Sequence, residues 1–525
     1  MKASIALITF ALCLATQVAA LGTRKGLHHE AIYGKGPEIE ARIKEEVKNY
    51  RGVGVAPDPQ DFNHTTLVDH FNASNKDTYP MRYIIDYSYY NNVSGPILFY
   101  AGNEGSIWTF YNNTGFMAQT LAQELGALVV FAEHRYYGTS LPYGENAFDR
   151  ENLRFLTIEQ VMLDYVSLLD YIKNDLTFYP ELKDRATILF GGSYGGMLAS
   201  WMRMKYPQHF QGALASSAPI LWFQGMTDPN AYTKVVSDTI RNMGGQECYD
   251  YMSRGFYDLR NMQYDFSKWA SVQSIFNLCD TPSSPDDIET LIGILSDSLG
   301  TEAMVNYPYA TSFINDLPAW PLNASCTAAK TMPSQPFQDV SMYNFTNIEA
   351  LQRAANVFYN YTGTNECLNI SESQAGGLDD NGWEIQTCNE FPMPMGDDPS
   401  QSCFTWVNWD QEAFTSECMK NYGMNPQYNW ALDYFGGRNP GKDFAASSNI
   451  IFSNGELDPW HAGGVLEDVF VNNEVIWIKN AAHHLDLRLP NEADPVQVVE
   501  ARNKERALIK QWVEEYQNQV IELNA

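Results

Sequence analysis

Three short stretches hold residues able to do hydrolytic chemistry. Gly191-Gly192-Ser193-Tyr194-Gly195-Gly196 sets a serine between paired glycines. Ser453-Asn454-Gly455-Glu456-Leu457-Asp458-Pro459-Trp460 offers two acids, and Ala481-Ala482-His483-His484-Leu485-Asp486 offers adjacent histidines. A serine hydroxyl becomes a nucleophile when a base takes its proton and a third group fixes that base. The serine must also stand on a tight strand-to-helix turn, with neighbours nearly free of side chains so that the turn closes. The competing reading, a glycine-rich turn whose serine does nothing, is disfavoured by this strand–turn–helix context.

The order Ser…Asp…His is that of an α/β-hydrolase triad. Ser193 would attack a carbonyl, a histidine would carry its proton, and an acid would fix the imidazole tautomer. Asp458 is preferred to Glu456 as the acid. Of His483 and His484 only one can point into the site, and the bare pattern does not choose. His28, His29, His64, His70, His134, His209 and His461 lack such a strand-end context and are assigned core or surface duty. The oxyanion hole is expected from the Tyr194 N–H and from the loop Gly102, Asn103, Glu104, Gly105.

These groups need a scaffold that brings strand ends together. Thr187–Phe190 reads as a buried strand running into the serine turn, and Met197–Tyr206 as the helix beyond it. Met81–Tyr90, Pro96–Ala101, Ala127–Ala132, Gly212–Ala218, Asn449–Ser453 and Val475–Ile478 read as further strands. Thr114–Leu125 looks helical, a capping box at Thr157–Gln160 opens another helix, and Pro495 to about Leu523 closes the chain as a helix. Such alternation implies a mostly parallel sheet covered on both faces. The stretch 221–434 is instead helical and rich in tyrosine and tryptophan. The expected organisation is a signal peptide (1–20), an N-terminal arm or pro-segment (21–57), a first hydrolase part (58–220), a helical cap (221–434) and a second hydrolase part (435–525).

The compartment follows from composition. Met1-Lys2, an apolar run and Val18-Ala19-Ala20 form a secretory signal, and no later run is long enough to span a bilayer. Eight glycosylation sequons agree with passage through the secretory pathway: Asn63, Asn72, Asn92, Asn112, Asn323, Asn344, Asn360 and Asn369. A net charge of −29 disfavours nucleic acid as a partner and fits an acidic compartment. Beyond Cys13, the cysteines at 248, 279, 326, 367, 388, 403 and 418 all fall in the cap stretch without zinc-site spacing. In an oxidising compartment they are disulfide candidates with one left over. No metal or cofactor is expected.

Taken with Glu133-His134-Arg135-Tyr136-Tyr137-Gly138 and His483-His-Leu-Asp-Leu-Arg488, the serine and acid motifs closely resemble the S28 serine peptidases from about Asp69 to the C-terminal helix. The resemblance implies an α/β-hydrolase fold with an inserted, disulfide-stapled helical domain roofing the active site. It carries the catalytic roles onto Ser193, Asp458 and His483, and places Met197 and Trp460 in a pocket for a prolyl ring. It also implies the pairs Cys248–Cys326, Cys279–Cys367 and Cys388–Cys418. A fourth cap disulfide of the Pro-X carboxypeptidase branch lacks its partner near Leu221–Thr227, which leaves Cys403 over.

The implied activity is that of a secreted or lysosomal serine exopeptidase acting at proline. Release of a C-terminal residue after proline is favoured, with an aminodipeptidase of the dipeptidyl peptidase II kind as the alternative. An esterase, or a catalytically silent hydrolase fold used for binding, stands further off. Expected partners are proline-containing peptides and, in a homodimer, a second copy of the chain.

Overall fold

Five strands are continuous apolar or small-residue runs, and this dictates where they lie. Ile97–Ala101 (β3), Leu128–Ala132 (β4), Thr187–Gly192 (β5), Gly212–Ser216 (β6) and Ile450–Gly455 (β7) are buried at every residue in the computed structural model, which describes residues 57–174, 179–331, 345–371, 382–405, 408–467 and 472–524. A strand with no polar face must be covered on both sides. These five form the parallel centre of an eight-stranded sheet ordered β1-β2-β4-β3-β5-β6-β7-β8. Thr78–Asp86 (β2) pairs antiparallel with both β4 and Gln60–Leu67 (β1), and Glu474–Ile478 (β8) closes the far edge in parallel with β7. This is the α/β-hydrolase sheet, with its chain split between β6 and β7. The signal peptide, the N-terminal arm up to residue 56, and Asn344 lie outside the described residues.

Strand β1 has no counterpart among the sequence-predicted strands, because what it buries is polar. His64 and Thr66 point inward at alternate positions, with His64 Nε2 2.9 Å from Ser167 Oγ and the Thr66 hydroxyl donating to Asp164 at 3.1 Å. The helix Ile107–Asn113 (α1), just after the predicted oxyanion loop, was also not legible. Ile158–Asn174 (α2) and Tyr194–Lys205 (α3) cover the sheet. Asp164 of α2 takes both forks of the fully buried Arg135 guanidinium, at 2.7 and 2.9 Å, and also the Tyr79 hydroxyl at 2.7 Å. Bidentate geometry and these extra donors are what a buried ion pair needs to offset desolvation.

Between β6 and β7 the described chain is helical. Its principal helices are Ala231–Asn261 (α4, broken at Gly245), Pro285–Met304 (α5), Pro321–Lys330 (α6), Phe345–Asn360 (α7), Trp383–Thr387 (α8) and Gln411–Asn421 (α9). Three disulfides are formed: Cys248–Cys326 joins α4 to α6, Cys279–Cys367 joins two loops, and Cys388–Cys418 ties the end of α8 to α9. Cys403 is a buried free thiol whose pKa burial pushes up to about 12, which keeps it protonated. The chain ends in Val496–Asn524 (α10), and Trp512 of this helix packs against Gly212 of β6, where an added Cβ would lie 2.3 Å from the indole.

Two cap carboxyls are buried with few donors. Glu302 on α5 accepts only from Ser325, with Oε1 unpaired, and Glu390 accepts from Ile158 N–H at 2.9 Å, tying the cap to the first turn of α2. Burial raises both, Glu390 to about 8. The folded chain thus binds more protons than the unfolded one, so this stability is full below the unfolded carboxyl pKa and declines as pH rises through the folded value. Thermal denaturation at acidic pH and at about pH 8 should show the decline, and Glu390→Gln should reduce it by on the order of 2–4 kcal/mol. An unchanged decline in Glu390→Gln and Glu302→Gln would place the pH dependence elsewhere.

Candidate active site

The turn between β5 and α3 closes because nothing stands in its way. A Cβ on Gly191 would lie 2.0 Å from Gly195 O, one on Gly195 2.7 Å from Ala101 O, and one on Gly196 2.9 Å from Ser216 O. Ser193 sits at φ 58°, ψ −128°, a conformation that costs an L-residue on the order of 1–3 kcal/mol. Two backbone bonds hold it there: Ser193 N–H donates to Ser216 O, and Met197 N–H donates to Ser193 O, each at 3.0 Å.

The acid and the histidine arrive from the ends of β7 and β8. Asp458 is fully buried; its Oδ2 accepts from His483 Nδ1 at 2.9 Å and its Oδ1 from Trp460 N–H at 2.9 Å. Glu456 is turned away and accepts from Asn480 N–H at 3.1 Å. His484 takes another position: its N–H donates to Ser217 Oγ at 2.8 Å, and its ring lies over Gly192, where a Cβ would come within 2.9 Å. Burial and the neighbouring His483 and Arg488 depress the His484 pKa, so that ring stays neutral. The backbone of His483 is held by the cap, with its N–H donating to Met304 O and its carbonyl accepting from Tyr307 O–H, each at 3.0 Å.

Ser193, His483 and His484 line one cleft of about 560 Å³, its mouth included, together with Asn103, Glu104 and Tyr194. Met197 and Trp460 lie on its wall, and the Trp460 ring is fixed edge-on by Trp222 and Tyr232, both at 5.2 Å. The cap supplies the roof: Met304, Phe313, Ile314, Trp383, Phe391 and Met393. None of these was singled out from the sequence. The run Phe391-Pro-Met-Pro-Met395, apolar with alternating prolines and wholly buried, was the available signal. Within the expected oxyanion loop, Gly105 donates its N–H to Asn103 O at 2.8 Å, and Gly102 O accepts from Tyr165 O–H at 2.7 Å. Asn103 and Glu104 are therefore the loop residues that face the cleft. Of the described sequon asparagines, Asn63, Asn72, Asn92 and Asn323 are exposed, and Asn112, Asn360 and Asn369 half-buried.

One polar chain was missed altogether. Burial holds His134 near a pKa of about 3, hence neutral. Its Nδ1–H donates to Arg135 O at 2.6 Å, which leaves Nε2 to accept from Tyr194 O–H at 2.9 Å. The same phenol accepts from Gln386 Nε2 of the cap at 2.8 Å, while Gln386 Oε1 accepts from Tyr137 O–H. The residue after Ser193 is thus wired both to the end of β4 and to the roof. Tyr194→Phe should leave two buried partners unsatisfied and cost about 1–3 kcal/mol. A double-mutant cycle with Gln386→Met should give a coupling of about 0.5 kcal/mol or more in thermal stability; strict additivity would mean that this bond does not connect roof and elbow.

The model of the serine carboxypeptidase S28 family matches residues 66–505. Lysosomal Pro-X carboxypeptidase of Bos taurus is 38% identical over 458 residues, covering 87% of this chain and 88% of that protein. The Homo sapiens protein of the same name is 38% identical over 450 residues, 86% and 87% of the two chains. Thymus-specific serine protease of Mus musculus is 27% identical over 473 residues, 85% and 86% of the two. With a split α/β-hydrolase sheet, a serine on a strained turn and a buried aspartate–histidine pair beside it, this chain belongs to the serine carboxypeptidase S28 family of serine-type peptidases.

Proposed function

We propose that the protein is a serine exopeptidase that hydrolyses the bond after proline and releases the C-terminal residue of a peptide. The observation that carries this reading is the placement of Ser193 and the Asp458-bonded His483 on one cleft whose wall holds Met197 and Trp460. A pyrrolidine ring is flat and apolar, and an indole and a thioether make a fitting pocket for it. The roof contributed by the cap favours a chain end over the middle of a long polypeptide.

In this mechanism Ser193 Oγ attacks the prolyl carbonyl carbon as His483 Nε2 takes its proton. Asp458 holds the Nδ1–H tautomer and stabilises the imidazolium. The oxyanion receives N–H groups of Tyr194 and of the Asn103–Glu104 turn. Collapse breaks the C–N bond, His483 gives its proton to the departing amine, and a prolyl ester remains on Ser193. Water, deprotonated by the same imidazole, then hydrolyses the ester. The setting is the secretory pathway, lysosomal or extracellular, in keeping with the N-terminal signal, the sequons and the disulfides. No helix among the described residues is long and apolar enough to cross a membrane.

Ser193→Ala should lower kcat by roughly 10⁴-fold or more while the protein still folds and is secreted. Mass spectrometry of products from a Pro-X peptide blocked in turn at each end tests the direction. Amidation of the C-terminus should slow cleavage and acetylation of the N-terminus should not. Release of an N-terminal dipeptide ending in proline would instead make the enzyme an aminodipeptidase.

A further inference from the structure

We propose that Glu104, in its protonated form, is the group that receives the C-terminal carboxylate of the substrate. The proposal rests on the carboxypeptidase reading and names the specificity-determining residue within it. Glu104 lines the cleft with Ser193 and His483, and its Oε2 is closed off from solvent without a hydrogen-bond partner. An ionised carboxylate left in that state is costly, whereas a carboxylic acid has an O–H to offer. Among the described lining residues there is no lysine or arginine. Arg488 lies behind them, its guanidinium 5.3 Å from the Phe313 ring and 4.8 Å from the Tyr307 ring, and donates to Thr311 at 3.2 Å.

The chemistry of departure fixes where the carboxylate falls. The leaving nitrogen is the atom that His483 protonates, and the terminal carboxylate carbon lies one Cα beyond it, about 2.5 Å away by bond geometry. Among the described lining residues other than Ser193, Tyr194 and the indoles, the polar side chains available to meet that charge are Glu104, its loop neighbour Asn103 and the neutral His484, and Glu104 is near enough to His483 for the two to interact electrostatically. A terminal amine on the acyl side would be a full residue or more further off.

A carboxyl–carboxylate hydrogen bond needs one proton and strengthens as the pair is desolvated. Once Glu104 ionises, the same geometry becomes a repulsion between like charges. Burial raises the Glu104 pKa, with its own backbone N–H, the Asn103 side chain and His483 acting the other way. The other titratable groups facing it are the phenols of Tyr100 and Tyr194, both held high by burial, and the His484 ring. Recognition should hold at acidic pH and fade as pH rises through the Glu104 pKa. The substrate carboxylate stays ionised throughout, since its own pKa is about 3.5.

The test is the ratio of kcat/KM for an N-acylated peptide ending Pro-Phe to that for its C-terminal amide, measured on the full chain from about pH 4.5 to about pH 7.5. Taking the ratio cancels any ionisation that affects both substrates alike. The ratio for the unaltered enzyme should fall about tenfold or more with rising pH. In Glu104→Gln, whose amide N–H donates at every pH, the ratio should be flat. A flat ratio in the unaltered enzyme overturns the proposal without reference to any variant, as does a fall of the same size in Glu104→Gln. If the amide is instead cleaved as fast as the acid at all pH values, and the unblocked peptide loses an N-terminal dipeptide, the carboxypeptidase reading itself fails. That outcome is distinguished from the other two by product mass.

Discussion

The serine turn leaves no spare volume, and the rest of the site is built around that fact. Gly191, Gly195 and Gly196 let β5 and α3 approach until backbone carbonyls stand where side chains would be, and Ser193 is held in a conformation that an isolated chain would leave. Strain of this size persists only when several independent contacts oppose its release. Here they come from β6 through Ser216 O, from the loop after β8 through the His484 ring on Gly192, and from the phenol of Tyr194. The nucleophile is thereby fixed by the sheet and needs no motion of its own to present its oxygen.

The histidine is fixed differently. Its ring is set by Asp458 from the hydrolase half, but its backbone hangs on Met304 O and the Tyr307 hydroxyl from the cap. Gln386 and Glu390 reach down in the same way to Tyr194 and to the start of α2. The cap therefore does more than cover the cleft, since it holds the backbone of His483 beside a cleft that Ser193 also lines. The Cys248–Cys326 disulfide ties α4 to α6, and the buried Glu302 holds α5 to α6, so the helix that carries Met304 is itself anchored within the cap. Buried carboxyls with raised pKa values, Glu302 and Glu390, add stability at acidic pH that is lost as pH rises through their folded-state values.

What was legible in the sequence followed from its punctuation. Continuous apolar runs marked β3 to β7, because strands buried on both faces carry no polar alternation, and glycine pairs marked the turn. The order of serine, acid and histidine is set by topology. The choice between Glu456 and Asp458 is not, since both lie in the same loop; it depends on which side chain turns toward the imidazole and which is caught by Asn480 N–H. Strand β1 escaped because its inward residues are His64 and Thr66, which satisfy a buried aspartate and serine across the fold. The roof of the cleft escaped for a related reason. Phe313 and Ile314 are some seventy residues from Trp383, Phe391 and Met393, and no local period joins the two groups.

His134 illustrates the limit most clearly. Grouped in the sequence with the histidines that lack a strand-end context and read as core filling, it in fact stands two residues past β4. Its role lies in a choice of tautomer: with Nδ1–H committed to Arg135 O, Nε2 has to accept, and the only direction left for the Tyr194 hydrogen is toward it. That commitment frees the phenol oxygen to accept from Gln386, so one neutral imidazole sets the polarity of a chain that runs from the body of the enzyme into its cap. A protonated ring would instead present an Nε2–H donor to the phenol oxygen, which already accepts from Gln386 Nε2, and would leave the Tyr194 O–H without its acceptor. Burial that holds the pKa near 3 keeps the ring neutral over the range in which the raised pKa of Glu390 falls, so the wiring of the elbow does not follow the ionisation of that carboxyl.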